Sequence, residues 1–281
     1  MKKIVTSTLI ASIVLLFASC SSDDSSTTPP PPPTVTSTYS ISKVHQINFF
    51  DPTEAKTEEP LIRSANIFDF NYKEDASLSF ITYTIDYYKD NKIENSAAYK
   101  MEHNLNQEGK LIYYGISDDT GLYLKHLYTY DKDLLASEHY TMLKQNFSYE
   151  SKFTYNAKNQ LIKRESQDVI LLGEFSYDNA NKINNIKRNG ENHKVTHDNK
   201  QNPFGPLPYD LTMEILKDNN ILPFSYHFAN NITTYGNRTV EYTYNEGDLP
   251  TKASMYYKPE DGPKYLASEI TYSYTIKETK Q

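Results

Sequence analysis

Phe153-Thr154-Tyr155-Asn156, continuing through Ala157-Lys158-Asn159-Gln160 to Leu161, is the stretch on which the fold turns. Aromatic residues two apart, with Thr between them, put both rings on one face of a strand and the hydroxyl on the other. Asn156 then stands where a turn begins, because its side chain can accept backbone N–H groups from the residues that follow. Three residues on, Asn159 is of a type that tolerates the left-handed conformation required by a type I turn with a bulge. Leu161 starts the return strand, so the stretch encodes one β-hairpin.

The pattern recurs. Tyr128-Thr129-Tyr130-Asp131 leads to Leu135, Phe175-Ser176-Tyr177-Asp178 to Ile183, Tyr242-Thr243-Tyr244-Asn245 to Leu249, and a degenerate Leu105-Asn106 to Leu111. The Asp/Asn positions 106, 131, 156 and 178 are 25, 25 and 22 residues apart, a spacing that holds two strands and two turns. Asn181 and Gly109 occupy the left-handed position in their copies. Consecutive hairpins make an all-β antiparallel meander, and one this long must curl into a strongly curved sheet or a barrel-like domain. About ten or more strands are expected, in one domain over residues 41–281. A single short helix is expected at Asp210–Leu216, where Leu211 and Ile215 share a face. It lies inside a Pro- and aromatic-rich insertion near 203–234 that interrupts the repeat and is expected to cap one end of the sheet.

The copies resemble the YD repeats of Rhs-type proteins. A second set of residues carries a closer likeness: His197-Asp198-Asn199-Lys200-Gln201-Asn202-Pro203-Phe204, then Asn230-Asn231, then Tyr242-Thr243-Tyr244-Asn245-Glu246-Gly247-Asp248-Leu249-Pro250-Thr251-Lys252. Together these resemble Bacteroidota surface lipoproteins of unknown function with a porin-like fold, over roughly residues 80 to 280. His197 stands where that pattern has Tyr. The resemblance implies a barrel-like domain at the cell surface and transfers no catalytic residue. It does not imply a pore, since a membrane barrel shows an apolar outward band and these strands carry Lys, Glu and Asn instead.

The front of the chain has a different character. Lys2 and Lys3 precede an apolar run, Leu9 to Ala18, too short to span a bilayer and matching an export signal over residues 1–19. Leu16-Phe17-Ala18-Ser19-Cys20 resembles a bacterial lipobox, which makes Cys20 the expected site of lipidation and membrane lipid an expected partner. Ser21-Ser22-Asp23-Asp24 is similar to the acidic signal that sorts such proteins to the exterior of the outer membrane. Residues 20–40, with five prolines from Pro29 to Pro33, read as a tether. Its roughly 20 residues at about 3.1 Å each could hold the domain on the order of 60 Å from the lipid.

Composition limits the chemistry. Without Lys2 and Lys3, 27 basic residues face 36 acidic ones, a surface that repels nucleic acid. One cysteine in 281 residues excludes internal disulfides and thiolate metal clusters. The seven histidines show no ligand spacing, and no nucleophile elbow or phosphate-binding glycine loop occurs. No cofactor, metal or catalytic residue is therefore expected. Asp118-Asp119 and Glu58-Glu59 read as solvated loop carboxylates. The 25 tyrosines are the feature left over. Most should fill the concave side of the sheet, but Tyr113-Tyr114 and Tyr256-Tyr257 are adjacent pairs, so one of each must face away from the core. These four, with Phe204 and Tyr209 from the insertion, are the candidate ligand-stacking residues. The expected function is a non-catalytic glycan- or peptide-binding module. A structural or adhesive platform among surface proteins is the alternative, and a hydrolase the reading least favoured.

Overall fold

Strand β8, Phe147–Tyr155, shows how the molecule is built: Tyr149, Ser151 and Phe153 are buried, while Ser148, Glu150, Lys152 and Thr154 are exposed. That alternation, repeated strand after strand, closes a sheet around an apolar interior. The computed structural model describes residues 35–52, 60–166, 173–188, 190–205, 207 and 229–280. Sixteen antiparallel strands follow one another around a closed barrel, each paired with its neighbours in sequence and β1 meeting β16.

In order these are β1 Val35–Phe49, β2 Ile62–Tyr72, β3 Leu78–Lys89, β4 Lys92–Leu105, β5 Leu111–Asp118, β6 Gly121–Asp131, β7 Leu134–Met142, β8, β9 Leu161–Ser166, β10 Gly173–Tyr177, β11 Ile183–Arg188, β12 Glu191–Gln201, β13 Asn230–Tyr235, β14 Arg238–Tyr244, β15 Pro250–Tyr257 and β16 Tyr265–Lys280. A 3-10 turn, Leu143–Gln145, lies among the described residues. The expected helix at Asp210–Leu216 lies outside the described residues, as do Tyr209, Cys20, Ser22, Asp23 and Asp24.

The turn geometry follows from the repeat residues. Asn156 Oδ1 accepts from the N–H groups of Lys158 and Gln160 at 2.9 and 3.0 Å, and Asn159 sits at φ 59°. Asp178 with Asn181, Asn106 with Gly109 and Asn245 with Asp248 repeat it, the last residue of each pair at positive φ. These turns gather at one end of the barrel.

At that end the strands of each following pair are not joined by a turn, and a tyrosine joins them instead. Tyr130 donates its hydroxyl to the Leu111 carbonyl at 2.8 Å and Tyr177 to Leu161 at 2.8 Å. Tyr72 to Ile41, Tyr242 to Ile232 and Tyr274 to Pro250 do the same at 2.8, 3.0 and 2.8 Å. Burial pushes the Tyr72 and Tyr177 hydroxyls up to about 12, so they remain donors at any physiological pH.

Two boundaries differ from the sequence reading. β1 begins at Val35, inside the expected tether, because the β-prone Val35, Thr36, Thr38 and Tyr39 follow directly once the prolines end at Pro33. The insertion closes sooner than expected, since Asn230 to Thr234 belong to β13 and pair with β12.

The interior is one cluster of buried residues from Ile41 on β1 to Tyr272 on β16. Aromatic stacking runs across it, with Phe68 on Tyr83 at 4.5 Å and Tyr140 on Tyr149 at 4.7 Å. A polar group is embedded there. Glu138, 1% exposed, is 2.6 Å from His126 Nδ1 and is also bonded by Arg164. The outer wall is the reverse, carrying ion pairs such as Lys163 with Glu165, Lys187 with Glu174 and Lys252 with Glu269.

Candidate functional site

Filling the middle of the barrel leaves space at its two ends. At the repeat-turn end a cavity of about 500 Å³ is bounded by Tyr130, Tyr177, His197, Asn159 and Asn181. Its rings are committed to the frame: Tyr130 and Tyr177 hold backbone carbonyls, and His197 Nε2 donates to the Ile183 carbonyl at 2.8 Å. His197 thus does with a ring nitrogen what its neighbours do with a hydroxyl. Beside it the residues of the closer resemblance meet. Asp198 accepts from the Asn231 backbone N–H and Nδ2, both at 3.1 Å, and from the Tyr244 hydroxyl. Burial first, and the Asp198 bond second, raise the Tyr244 pKa.

At the opposite end a cavity of about 470 Å³ has a different lining. The ends of β3 and β15 bring Tyr87 and Tyr257, and the starts of β2 and β14 bring Arg63 and Arg238. Below them is a connected polar floor. Asn48 Nδ2 donates to Ser64 Oγ at 3.1 Å, Gln46 Nε2 to Asn48 Oδ1 at 2.7 Å, and Tyr83 OH to Asn66 Oδ1 at 3.1 Å. A rim of rings and guanidinium groups over a pre-ordered amide floor is the makeup of a polar ligand site. A small two-residue turn, Asp90-Asn91 with both residues at positive φ, ends β3 and carries Tyr87 to the rim.

The six stacking candidates separate. Tyr257 lines this second cavity, its ring 5.5 Å from the Arg238 guanidinium and 5.7 Å from the Tyr265 ring. Tyr256 lies on the other face with the Lys264 ammonium 4.1 Å over its ring, which occupies the surface a ligand would use. Tyr113 lies on the outer wall, folded over Gly115, where a Cβ would meet its hydroxyl at 2.3 Å. Tyr114 is 0% exposed and is a core residue, not a binding surface. Phe204 is likewise corrected: it is buried against Tyr272 at 6.2 Å, because the chain leaving β12 turns inward at Asn202. Of the five described candidates the structure brings Tyr257 to a cavity rim, and it adds Arg63, Arg238, Tyr87 and Asn48, which sequence reading did not single out. One signal was available, for the chain holds four arginines, at 63, 164, 188 and 238.

Among the described residues no group of three or more His, Cys, Asp or Glu side chains could hold a metal ion. Asp118 is bonded by Lys144 and Thr120, which hold its carboxyl down at about 2, so it stays an ionised surface acid.

No family model and no curated protein matches the chain. Solved structures do. A porin-like protein from Bacteroides uniformis superposes with a TM-score of 0.54 at 12% identity, covering 84% of this chain and 98% of that one. The chain shares the porin-like fold. A porin-like protein from Bacteroides vulgatus also matches, with a TM-score of 0.29 at 11% identity over 85% of this chain and 99% of that one. Fold is what the likeness to the Bacteroides uniformis protein carries. The described outer wall carries Lys–Glu ion pairs, and a Lys facing lipid at a bilayer midplane costs about 2–4 kcal/mol. No helix among the described residues is long and apolar enough to cross a membrane.

Proposed function

We propose that the protein is a non-catalytic binding module, held by lipid on Cys20 to the outer membrane and facing the cell exterior, whose barrel stands in water and captures a glycan. The observation that carries this reading is the cavity of about 470 Å³ opposite the repeat turns, lined by Tyr87, Tyr257, Arg63, Arg238 and Asn48. Tyrosine rings offer apolar faces to the C–H side of a sugar, while guanidinium and amide groups bond its oxygens. The export leader, the acidic Ser22-Asp23-Asp24 and the Pro-rich tether supply the placement.

Full-length protein applied to a glycan array should bind at least one saccharide class. Tyr257→Ala should abolish that binding, and Tyr113→Ala, on the outer wall, should leave it intact. Absence of binding to every saccharide would overturn the reading. The filled interior and its tyrosine ties favour a second one, a structural platform for neighbouring surface proteins. Crosslinking on intact cells that recovers a protein neighbour, from a chain that binds no glycan, would support it.

A further inference from the structure

The chain carries 36 acidic and 29 basic residues, yet among the described residues the cavity at the barrel mouth is lined by two arginines and by no aspartate or glutamate. Two of the four arginines in the chain are thus spent on one cavity, while lysine serves for the outer ion pairs. The difference between the two cations is chemical. Arginine presents a planar fork of N–H donors that matches the two oxygens of a carboxylate or the oxygens of a sulfate ester, and lysine does not.

The arginines are also held ready. No described carboxylate lies within ion-pair distance of Arg63 or Arg238. Arg238 lies over the Tyr257 ring, its guanidinium carbon 5.5 Å from the ring centroid. Tyr87, on the same rim, is 45% exposed and presents a ring to solvent. Within a surface of net negative charge, a cavity of positive sign selects against the bulk of neutral and cationic solutes and draws anions in.

Resting on the glycan-binding reading, we infer that the ligand is an anionic saccharide, whose carboxylate or sulfate ester pairs with Arg63 and Arg238 while a sugar ring lies against Tyr87. The neutral part of the sugar meets the ring and the Asn48 amide. The anionic substituent supplies the affinity that a shallow mouth lined by one or two rings lacks.

The test is calorimetric titration of the full-length protein with five probes: tetragalacturonate, its carboxyl-reduced form, a heparin-derived hexasaccharide, its desulfated and carboxyl-reduced form, and a polyglutamate peptide. At least one acidic saccharide should bind, weaken tenfold or more when its anionic groups are removed, and weaken with added salt. Binding to tetragalacturonate identifies the carboxylate, and binding to the heparin fragment alone identifies the sulfate ester. Arg238→Gln and Arg63→Gln should each reduce that affinity tenfold or more with an unchanged melting temperature, and Arg238→Lys should recover only part of it. Equal binding of acidic and neutral forms, unaffected by Arg238→Gln, would overturn the inference and leave the glycan reading standing. Polyglutamate binding as tightly as the acidic saccharides would overturn the saccharide assignment, and no saccharide binding at all would remove both.

Discussion

His197 Nε2 donates to the carbonyl oxygen of Ile183 at 2.8 Å, in the same relation by which Tyr177 ties Leu161. A carbonyl only accepts, so Nε2 carries a proton in this bond. His197→Ala should cost about 1–3 kcal/mol, the penalty for stranding a half-buried carbonyl. Denaturant unfolding of the variant measures it, and a change under about 0.5 kcal/mol would show that the tie is idle.

The tyrosine ties should behave as independent parts. Tyr177→Phe removes one hydroxyl and keeps the ring, which should lower stability by about 1 kcal/mol. Tyr130→Phe should do the same, and the double variant should lose close to the sum, because the two residues tie different strand pairs. Marked non-additivity in urea melts would mean that the ties act as one network.

Glu138 sits between His126 and Arg164 in the dry interior. Arg164→Met should destabilise by about 3–5 kcal/mol, because it leaves the carboxylate buried without its guanidinium partner. Replacing all three residues with apolar ones of similar volume should recover most of that loss. If the triple variant is as unstable as the single one, the embedded charges are needed for the barrel to close in register.

His103 projects toward the interior and its Nδ1 has no partner. Burial, and after it the charge of Lys73, lowers its pKa below the ordinary 6.5. The unfolded chain therefore takes up a proton at higher pH than the folded one does. The stability this neutral ring represents is complete above about pH 6.5 and is lost as the pH falls below it. Melting temperature should drop from pH 7 to pH 5, and His103→Gln should flatten part of that slope. An identical slope in the variant would place the effect elsewhere.

Lipidation rests on a single residue. Cells fed labelled palmitate should incorporate it into the wild-type protein and not into Cys20→Ser, which should also leave the membrane fraction. Label retained in the variant would refute the anchor.

How far the sequence could be read follows from where its signals lie. The repeat turns announce themselves because Asn156, Asp178 and Asn245 must accept the same backbone donors and be followed by a residue able to adopt positive φ. Turns at the opposite end need no such residue set. Asp90-Asn91, Asp119-Thr120 and Gly236-Asn237 solve the same problem three ways, so the repeats set an expectation of ten or more strands without fixing the number at sixteen. The alternation of β8 gave the inward face, and it placed one tyrosine of each adjacent pair outside without saying which. Tyr113 turned out to be covering Gly115, a contact between residues of one strand that spacing alone does not reveal. The mouth was least legible. Arg63 and Arg238 begin strands at opposite ends of the chain, and they line one cavity because β1 meets β16.

The proposed function has the barrel standing in water, a reading that rests on the described ion pairs of its outer wall. Lys152 faces outward from the middle of β8, and the chain's one native cysteine, Cys20, is the proposed acylation site. Lys152→Cys can therefore be labelled alone with an environment-sensitive fluorophore in intact membranes. Emission at the aqueous wavelength, fully quenched by iodide, is expected. Blue-shifted emission that iodide does not reach, and that a lipid-borne quencher does, would contradict it and place the wall in the bilayer.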